Sequence, residues 1–392
     1  IDYVAGWYLK AGAFMSGTSI RGAFVSTNSV MQGEQVAPLW KTILDDYNMQ
    51  IAFARRPFKW TSESPDLAAV NCVVIGMADK SLPVSKRIFD ADKVSVAQNI
   101  CPYLFDSPNV FIRSRARHFQ KDVPRIFLGN KPSDGGNLIL SPAEREDILK
   151  REPTLEKFIR RYVGGNEFIN NVERYCLWLV DATPAELRGS RELYRRLEDV
   201  KKMREASSAK PTRQSAATPY KFFFVSQPTT DYILIPQTSA GARKYIPMGF
   251  MPPNVIASNS TSIILDATLY HFGVLTSSIH MAWMRIVAGY LGTSYRYSGN
   301  VVYNNFPWAE ATPAQVQTIE ASAQAILDVR ARYPDSTLAD LYDPLTMPKD
   351  LRAAHRANDK AVAAAYGFEA ILDDEAALVA ELFKLYASLT NA

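Results

Sequence analysis

Membrane and export signals are missing from this chain of 392 residues. No apolar run approaches the roughly 18 residues that span a bilayer. The first residues, IDYVAGWYLKAGAF, lack the basic start and the cleavage site of a signal peptide. We therefore expect a cytoplasmic protein. Because single hydrophobic cores stop growing near about 250 residues, a chain of this length should hold two or three domains.

Cysteine and histidine are scarce, which argues against disulfide and metal chemistry. The three cysteines, Cys72, Cys101 and Cys176, stand singly without paired spacing, and we interpret them as reduced packing residues. The four histidines are scattered, with no HExxH or CxxC pattern. His271 and His280 lie in apolar company, so we expect hydrogen-bonded core histidines rather than ligands.

Nucleotide-binding and nucleophile motifs are also absent. The chain contains no P-loop, no GxGxxG turn and no nucleophile elbow. The glycine pairs Gly135-Gly136 and Gly164-Gly165 are each followed by asparagine and are better explained as turns.

Charge is unevenly distributed. The formal net charge is +4, but residues 309–392 hold seven Lys/Arg against thirteen Asp/Glu, which leaves +10 for residues 1–308. Residues 113–131 carry six basic side chains and one acid, and residues 188–213 carry nine against four. Either segment alone is more typical of a solvated helix face or loop. Together they favour a nucleic-acid footprint.

Apolar runs near the start of the chain surround a cationic aromatic segment. Residues 22–28 have the pattern of a buried parallel strand whose end opens on a cleft. Residues 51–54 and 68–77 are spaced to pair as an antiparallel hairpin. Between them, the segment RRPFKW (55–60) is expected to form a loop that stacks on a nucleobase and attracts a phosphate.

Helices are predicted at several places. An apolar stripe at helical spacing, Tyr3, Trp7, Ala11 and Phe14, predicts an opening helix without a cap, so we expect the chain to begin within a domain. Residues 32–44 are predicted to form the next helix. Ser190 is expected to cap a helix that runs to about residue 206, with an apolar stripe of Leu193, Leu197 and Val200 and its remaining arginines facing outward.

The predicted secondary structure changes twice in the second half of the chain. Residues 220–308 consist mostly of short β-prone runs broken by proline, glycine and asparagine. From residue 312 the pattern becomes helical, opened by a capping box at Thr312 and closed at the end by Leu378, Leu382 and Tyr386.

Short segments along the whole chain occur in a characteristic order. They are DYV (2–4), FVSTNS (24–29), RPFKW (56–60), VVIG (73–76), GNKP (129–132), DGGN (134–137), KPTR (210–213), DATLYHFG (266–273), HMAWMR (280–285), YRYS (295–298), YNNFPW (303–308) and LYDPLTMP (341–348). In this order they resemble the later motifs of gamma-class (amino-methylating) DNA methyltransferases, and most closely those of the single-chain restriction-modification enzymes related to MmeI. The resemblance covers nearly the whole chain.

The resemblance implies an α/β plus α+β fold in three parts. Residues 1–95 would complete a partial Rossmann-like methyltransferase sheet, residues 96–308 would form a mixed α+β target-recognition domain, and residues 309–392 a helical C-terminal domain. It also implies double-stranded DNA as partner and S-adenosylmethionine as methyl donor. The target adenine would be flipped from the duplex so that its N6 amine attacks the methyl group.

The resembled enzymes hold that amine with an Asn-Pro-Pro-aromatic tetrapeptide, which this sequence lacks. Met251-Pro252-Pro253-Asn254 has the wrong order. The glycine-rich cofactor loop is also missing, so we expect a carboxyl-terminal portion of a longer enzyme that is inactive alone. Most of the cofactor site, the other methyltransferase residues and any nuclease domain would then lie upstream.

Two sets of site residues follow from the resemblance. Phe58 would stack on the extruded adenine, unless it only plugs the sheet edge, and Trp60 is the substitute. The residues implied to contact DNA are Arg55, Arg56, Lys131, Arg213 and Arg285, together with three base-reading clusters: Gln237; Asn259 and Ser260; and Gly292, Ser294 and Arg296.

The third cluster departs from the family pattern. Relatives carry a pair of opposite charges where this chain has Gly292 and Ser294, so charged readout at that base pair is in doubt. Arg296 could also brace the fold between Tyr295 and Tyr297 rather than contact a base.

Two other functions remain open. A free-standing DNA-binding specificity protein without catalytic activity would explain the missing tetrapeptide directly. A structural assembly subunit is favoured only by the acidic helical tail and would require DNA binding to be absent.

Overall fold

A computed structural model describes residues 1–60 and 70–390, in two compact units. Unit 1 comprises residues 1–123, 277–318 and 358–392, and unit 2 comprises residues 124–276 and 319–357. The strands are β1 (Gly22–Thr27), β2 (Met49–Trp60), β3 (Val70–Asp79), β4 (Arg87–Asp90), β5 (Lys93–Val96), β6 (Ile126–Leu128), β7 (Ile139–Leu140), β8 (Ile159–Val163), β9 (Tyr175–Leu177), β10 (Tyr232–Pro236), β11 (Thr238–Ala240), β12 (Gly249–Met251), β13 (Ile256–Ala257), β14 (Thr261–Leu265), β15 (Gly289–Leu291) and β16 (Ser294–Arg296).

The helices are concentrated in the middle and at the end of the chain. They are α1 (Tyr3–Met15), α2 (Val36–Lys41), α3 (Pro142–Arg151), α4 (Gly165–Asn170), α5 (Pro184–Gly189), α6 (Arg191–Glu205), α7 (Lys210–Gln214), α8 (Leu269–Leu275), α9 (Ser278–Val287), α10 (Pro313–Ala331), α11 (Leu338–Leu341), α12 (Lys349–Tyr366) and α13 (Glu375–Thr390). None of the helices in the described part of the chain is both long and apolar enough to cross a membrane.

The five-stranded sheet of unit 1 has the order β1-β3-β2-β4-β5. Strands β2 and β3 pair antiparallel, so the predicted hairpin is confirmed. The prediction of a buried parallel strand at residues 22–28 is wrong in its pairing, because β1 lies antiparallel to β3. It is also wrong in its burial, since of the β1 side chains only Ser26 is buried.

The expected loop at residues 55–60 is a strand. Strand β2 continues to Trp60, and Lys59 and Trp60 pair with Asn71 and Val70 of β3. A register shift between Arg55 and Phe58 accommodates Pro57, whose missing N–H is tolerated in a bulge. The beginning of the predicted run at residues 68–77, Ala68 and Ala69, lies outside the described residues.

Helix α1 covers one face of this sheet. The Tyr8 hydroxyl bonds Ser26 Oγ at 2.8 Å, and the Tyr8 ring lies 5.7 Å from that of Trp40. The helix is confirmed, but the stripe by which it was predicted is not its packed face. Tyr3, Trp7 and Phe14 are exposed, while the buried side is formed by Ala5, Tyr8, Gly12 and Met15.

Unit 2 contains two four-stranded sheets. One is antiparallel, with the order β12-β10-β14-β6, and the other has the order β13-β8-β9-β7 with a parallel pair of β13 and β8. Strand β10 is buried along its whole length. It therefore provides a rigid support for the turns that leave its sheet.

Helix α6 confirms its predicted cap and stripe but not the direction of its arginines. Ser190 accepts the backbone N–H of Leu193, and the three stripe residues are buried. The expectation of outward arginines is wrong for Arg204, which is completely buried. Arg196 is also buried and forms an i,i+4 pair with Glu192, and both guanidinium groups are hydrogen-bonded within the fold, which allows burial of a charge.

The carboxyl-terminal region is helical, as predicted. Thr312 and Gln315 form the capping box that opens α10, and α13 buries Leu378, Leu382 and Tyr386. The chain is thus a mixed α/β protein with several sheets and a helical tail. All three cysteines are free, and Cys101 and Cys176 are buried.

Candidate nucleic-acid interface

The end of strand β2 presents an aromatic and cationic surface. Phe58 and Arg55 pair with Cys72 and Val74, two residues apart on β3, so both side chains point to the same face of the sheet. The Arg55 guanidinium lies 5.1 Å from the centre of the Phe58 ring. Trp60 is 52% exposed, and its ring lies 6.5 Å from that of Phe58. The structure therefore brings these three predicted site residues together at the surface.

Arg56 lies in the bulge and has different contacts. Its Nη1 donates to Asp90 Oδ2 at 2.8 Å, and its Nε donates to the carbonyl oxygen of Leu104. The guanidinium also lies 4.0 Å from the centre of the Phe105 ring. Arg56 is thus held by the protein itself, and any phosphate contact would share its charge with Asp90.

A cavity of about 800 Å³ opens in unit 1 beside the end of β1. Amide and hydroxyl side chains line it, among them Asn28, Ser29 and Asn71, and the tip of the β15–β16 hairpin contributes Gly292 and Thr293. Within the described residues, the lining includes one orphaned polar atom: Gln32 is only 8% exposed and its Oε1 has no hydrogen-bond partner. The cavity therefore has both polar and apolar lining, and it lies between the end of β1 and Gly292, a predicted base-reading residue.

The third predicted base-reading cluster lies on the β15–β16 hairpin. Leu291 pairs with Ser294, which leaves Gly292 and Thr293 as the two-residue turn. Gly292 has a φ of +60°, as a tight hairpin turn requires. Arg296 is exposed and pairs with Gly289 through the backbone. It therefore remains available for contact with DNA.

Arg285 lies on α9, close to the same hairpin. Its Nη1 donates to Glu375 Oε2 at 2.7 Å, and the Tyr290 hydroxyl donates to its carbonyl oxygen. Burial raises the pKa of Tyr290, so this phenol stays neutral. The ion pair with Glu375 joins α9 to α13. It partly neutralises the charge of Arg285, which was predicted to contact DNA.

Unit 2 brings together the other two predicted base-reading clusters. The Gln237 N–H donates to the carbonyl oxygen of Ser260, where the turn between β13 and β14 meets the end of β10. Asn259 and Ser260 are both exposed on that turn. The Ser260 hydroxyl accepts the Gly165 N–H and lies 2.8 Å from Ser258 Oγ, so it braces the turn as well.

Lys131 and Arg213 are both exposed in unit 2. The Lys131 N–H donates to the Phe224 carbonyl oxygen, which fixes its backbone beside the Ser258–Ser260 turn. Arg213 donates from Nη1 to the carbonyl oxygens of Ser207 and Ser208 at the end of α6. Lys131 is thus near the base-reading turn, while Arg213 is tied to its own helical segment.

Asn130 belongs to the motif Gly129-Asn130-Lys131-Pro132, and no role was predicted for it from the sequence. In the structure it is completely buried and bonds both the turn that carries Asn259 and the segment that follows Phe224. The sequence itself showed only an asparagine followed by a lysine in a turn-rich segment.

The glycine turn between β8 and α4 does not fit S-adenosylmethionine. A strand followed by two glycines and a helix does occur at β8 and α4, but its N–H groups are occupied. Glu167 accepts the Gly164 N–H, and Ser260 accepts that of Gly165. A side chain at Gly164 would also meet the hydroxyls of Ser258 and Ser260. This turn is therefore filled by the protein's own groups.

His280 is a hydrogen-bonded core histidine, as predicted, whereas His271 is only partly buried and accepts the Thr268 N–H at the start of α8. Burial lowers the pKa of His280 to about 3, and its Nε2 lies 3.0 Å from the Tyr297 hydroxyl. Burial also lowers the pKa of His271 to about 4. Among the residues that the structure describes, no group of three or more histidine, cysteine or acidic side chains could hold a metal ion.

Two known proteins are similar to this chain over its whole length. DNA methyltransferase A of Bacillus subtilis (strain 168) is 38% identical over 391 residues, which are 100% of this chain and 44% of that protein. The Type IIL restriction-modification enzyme MmeI, solved in complex with DNA, is 45% identical with a TM-score of 0.90, covering 100% of this chain and 53% of that one. The chain thus spans about half the length of the relatives it matches.

Family models divide the chain in the same order as its motifs. The DNA-methyltransferase domain of MmeI matches residues 1–90, the MmeI target recognition domain matches residues 106–310, and the MmeI C-terminal domain matches residues 311–392. This chain belongs to the MmeI family of restriction-modification DNA methyltransferases and carries the family's target recognition domain.

Proposed function

We propose that this chain is the DNA-recognition portion, and part of the catalytic portion, of a site-specific adenine-N6 DNA methyltransferase in a restriction-modification system. Its partner is double-stranded DNA, in the cytoplasm, and S-adenosylmethionine supplies the methyl group. The observation that carries the proposal is the surface at the end of β2. There Arg55 lies 5.1 Å from the Phe58 ring, and Trp60 is exposed beside it.

This surface suits an extruded base. A nucleobase stacks on an aromatic ring with a free energy of about 1 to 3 kcal/mol, and the adjacent cation strengthens the contact and attracts the phosphate backbone. We assign base stacking to Phe58, with Trp60 as the alternative. Because the described residues form no glycine-rich cofactor turn, most of the S-adenosylmethionine site is assigned to residues outside this chain.

Recognition of the target is assigned to two surfaces, one on each unit. Gln237, Asn259 and Lys131 supply amide and cationic groups on unit 2. Arg296 and the Gly292 turn supply a guanidinium and an open backbone on unit 1. Asparagine and glutamine suit adenine, and arginine suits guanine, in the major groove.

The methylated base tests the proposed reaction. The polypeptide that carries this chain is incubated with plasmid DNA and methyl-labelled S-adenosylmethionine, and the nucleosides are separated by chromatography and mass spectrometry. We expect the label in N6-methyladenine. Label in a methylcytosine would contradict the assignment to adenine.

The isolated 392 residues test whether this chain binds DNA but does not transfer methyl groups by itself. We expect DNA binding that weakens as salt rises, because counterion release drives contact with phosphates, and no methyl transfer. Methyl transfer by this chain alone would show that its catalytic site is complete. A specificity protein without catalysis remains the second candidate, and DNA binding by a full polypeptide that never methylates would favour it.

A further inference from the structure

The side chain of Asn130 is completely buried and fully hydrogen-bonded. Its Nδ2 donates to Gln227 Oε1 at 2.8 Å and to the Ala257 carbonyl oxygen at 2.9 Å. Its Oδ1 accepts the Ser226 N–H at 2.7 Å. A primary amide offers two N–H donors and an oxygen with two lone pairs, and both donors and one lone pair are used inside the protein. Because the side chain is also completely buried, Asn130 does not contact DNA through it.

The Asn130 backbone adds a second set of bonds to the same turn. Its N–H donates to the Ala257 carbonyl oxygen at 2.7 Å, and its carbonyl oxygen accepts the Asn259 N–H at 3.0 Å. The Tyr162 hydroxyl donates to the same carbonyl oxygen at 3.2 Å. The position of the Asn259 backbone is thus fixed directly by Asn130.

Gly129 shows how closely the two segments approach. A Cβ at this position would lie 2.2 Å from the carbonyl oxygen of Ser258. The Gly129 N–H donates to the Thr261 carbonyl oxygen, on the far side of the same turn. The segment around Asn130 therefore lies directly against the turn and leaves no space for a side chain.

The residues next to this junction are the ones that face solvent. Lys131 follows Asn130 in the chain, and Asn259 is bonded to it, and both side chains are exposed. A buried amide that bonds three chain segments is costly to disturb, because each broken bond leaves a polar group unsatisfied. The junction thus fixes Lys131 and Asn259 relative to each other.

We propose that Asn130 is a positioning residue for DNA sequence recognition. Its buried amide holds the turn that carries Asn259 against the segment that carries Lys131, so that both side chains meet the same part of the groove. This inference rests on the proposed function. It assigns to Asn130 an effect on which sequence is selected, separate from how strongly DNA is held through phosphates.

The test is Asn130→Asp in the full polypeptide, with a library of random-sequence DNA duplexes as the probe. The substitution keeps the shape of the side chain but replaces two N–H donors with an oxygen that faces Gln227 Oε1 and the Ala257 carbonyl. Bound duplexes are sequenced. We expect the selected motif to lose about tenfold discrimination at one or two base pairs, the loss of a good base contact. Binding to non-specific DNA and its salt dependence should be unchanged.

Asn305→Asp is the matched control. Asn305 is another fully buried asparagine, whose Nδ2 donates to the carbonyl oxygens of Arg113 and Asn300 and whose Oδ1 accepts Arg115 Nε. It hydrogen-bonds none of the proposed base-reading residues. We expect this variant to select the same motif as the unmodified enzyme, whatever stability it loses.

Gln227→Met is the second variant, to be used if Asn130→Asp does not fold. It removes the acceptor of one Asn130 bond and the three other hydrogen bonds of Gln227, but it leaves the Asn130 side-chain bonds to Ser226 and Ala257 in place. We expect the same base pairs to be affected, to a smaller extent. An unchanged motif, or an equal loss of affinity for all sequences, would overturn the proposal. If the unmodified enzyme selects no motif at all, it is the proposed function that fails instead.

Discussion

Arg204 Nη2 donates to the carbonyl oxygen of Pro132 at 2.8 Å, across 72 residues of the chain. The other donors of this completely buried guanidinium are used in the same way. They bond the carbonyl oxygens of Ser133, Ser215, Thr218 and Lys221. A single side chain thus anchors the segment that follows Lys131 to the end of α6.

We expect Arg204→Met to destabilise the protein strongly. The variant removes the donor of the Ser133 and Lys221 carbonyl oxygens, and each unsatisfied buried group costs about 1 to 3 kcal/mol. The carbonyl oxygens of Pro132, Ser215 and Thr218 keep backbone donors but lose their bond to the guanidinium, so we expect a total loss of at least about 3 kcal/mol. The free energy of unfolding in urea measures it. Arg195→Met is the control, because Arg195 is exposed and its buried partner Glu192 keeps Arg151 and Arg196 as ion-pair partners; it should change stability by less than about 1 kcal/mol. Equal effects of the two variants would contradict this reading.

Phe58→Ala in the full enzyme should lower methylation and weaken extrusion of the target base. The reason is the loss of a stacking surface, about 1 to 3 kcal/mol, or roughly tenfold in the extruded population. Fluorescence of 2-aminopurine at the target position reports extrusion. Phe53→Ala is the control on the same strand, since Phe53 lies over Gly76 toward the other end of β2. Unchanged extrusion and methylation would remove Phe58 from the base site.

Arg296→Ala should change which base is accepted at one position of the target. A bidentate arginine contact discriminates against the wrong base by about 1 to 3 kcal/mol. Methylation of duplexes that differ at single base pairs measures the effect. Arg352, an exposed arginine on α12, provides the control variant Arg352→Ala. Equal weakening for every duplex would identify Arg296 as a phosphate contact.

Stability should fall as the solution becomes mildly acidic. Burial is the main cause that lowers the pKa of all four histidines, to about 4 for His118 and His271 and to about 3 for His280 and His355. The unfolded chain therefore binds protons below about pH 6.5 while the folded chain does not. Each histidine then costs about 1.4 kcal/mol per pH unit between its unfolded and folded pKa, and nothing above pH 6.5.

Urea unfolding at pH 7.5, 6.5, 5.5 and 5.0 measures this slope. His280→Gln should reduce the slope of the free energy of unfolding with pH by the contribution of one histidine, because glutamine does not titrate in this range. A free energy of unfolding that stays constant from pH 7 to pH 5 would show that these side chains take up protons in the folded state.

Several elements could be predicted because their cause is local. The cap at Ser190, the box at Thr312 and the apolar stripe of α6 each depend on residues within a turn or two, and all three are confirmed. The family could be predicted from the resemblance, because the order of motifs is a property of the chain alone. The site residues stay predictions that the structure places but does not test.

Other features depend on partners far away in the sequence. The stripe of Tyr3, Trp7 and Phe14 has the right period for a helix. Which side of the helix is buried depends on what packs against it, and in the described part of the chain the opposite side is buried. Arg56 and Arg204 look like members of basic clusters. Only the fold shows that Arg56 pairs with Asp90 and that Arg204 binds backbone carbonyl oxygens.

The sequence by itself determined the family, the local helix signals, the basic character of residues 1–308 and the aromatic segment at residues 55–60. The tertiary structure decided that this segment is a bulged strand with Arg55 and Phe58 on one face, and that Asn130 joins two distant segments. The physical reason is the range of the interactions. Capping and helical periodicity act between neighbours in the chain, whereas strand register and buried amide bonds form only after distant segments have met.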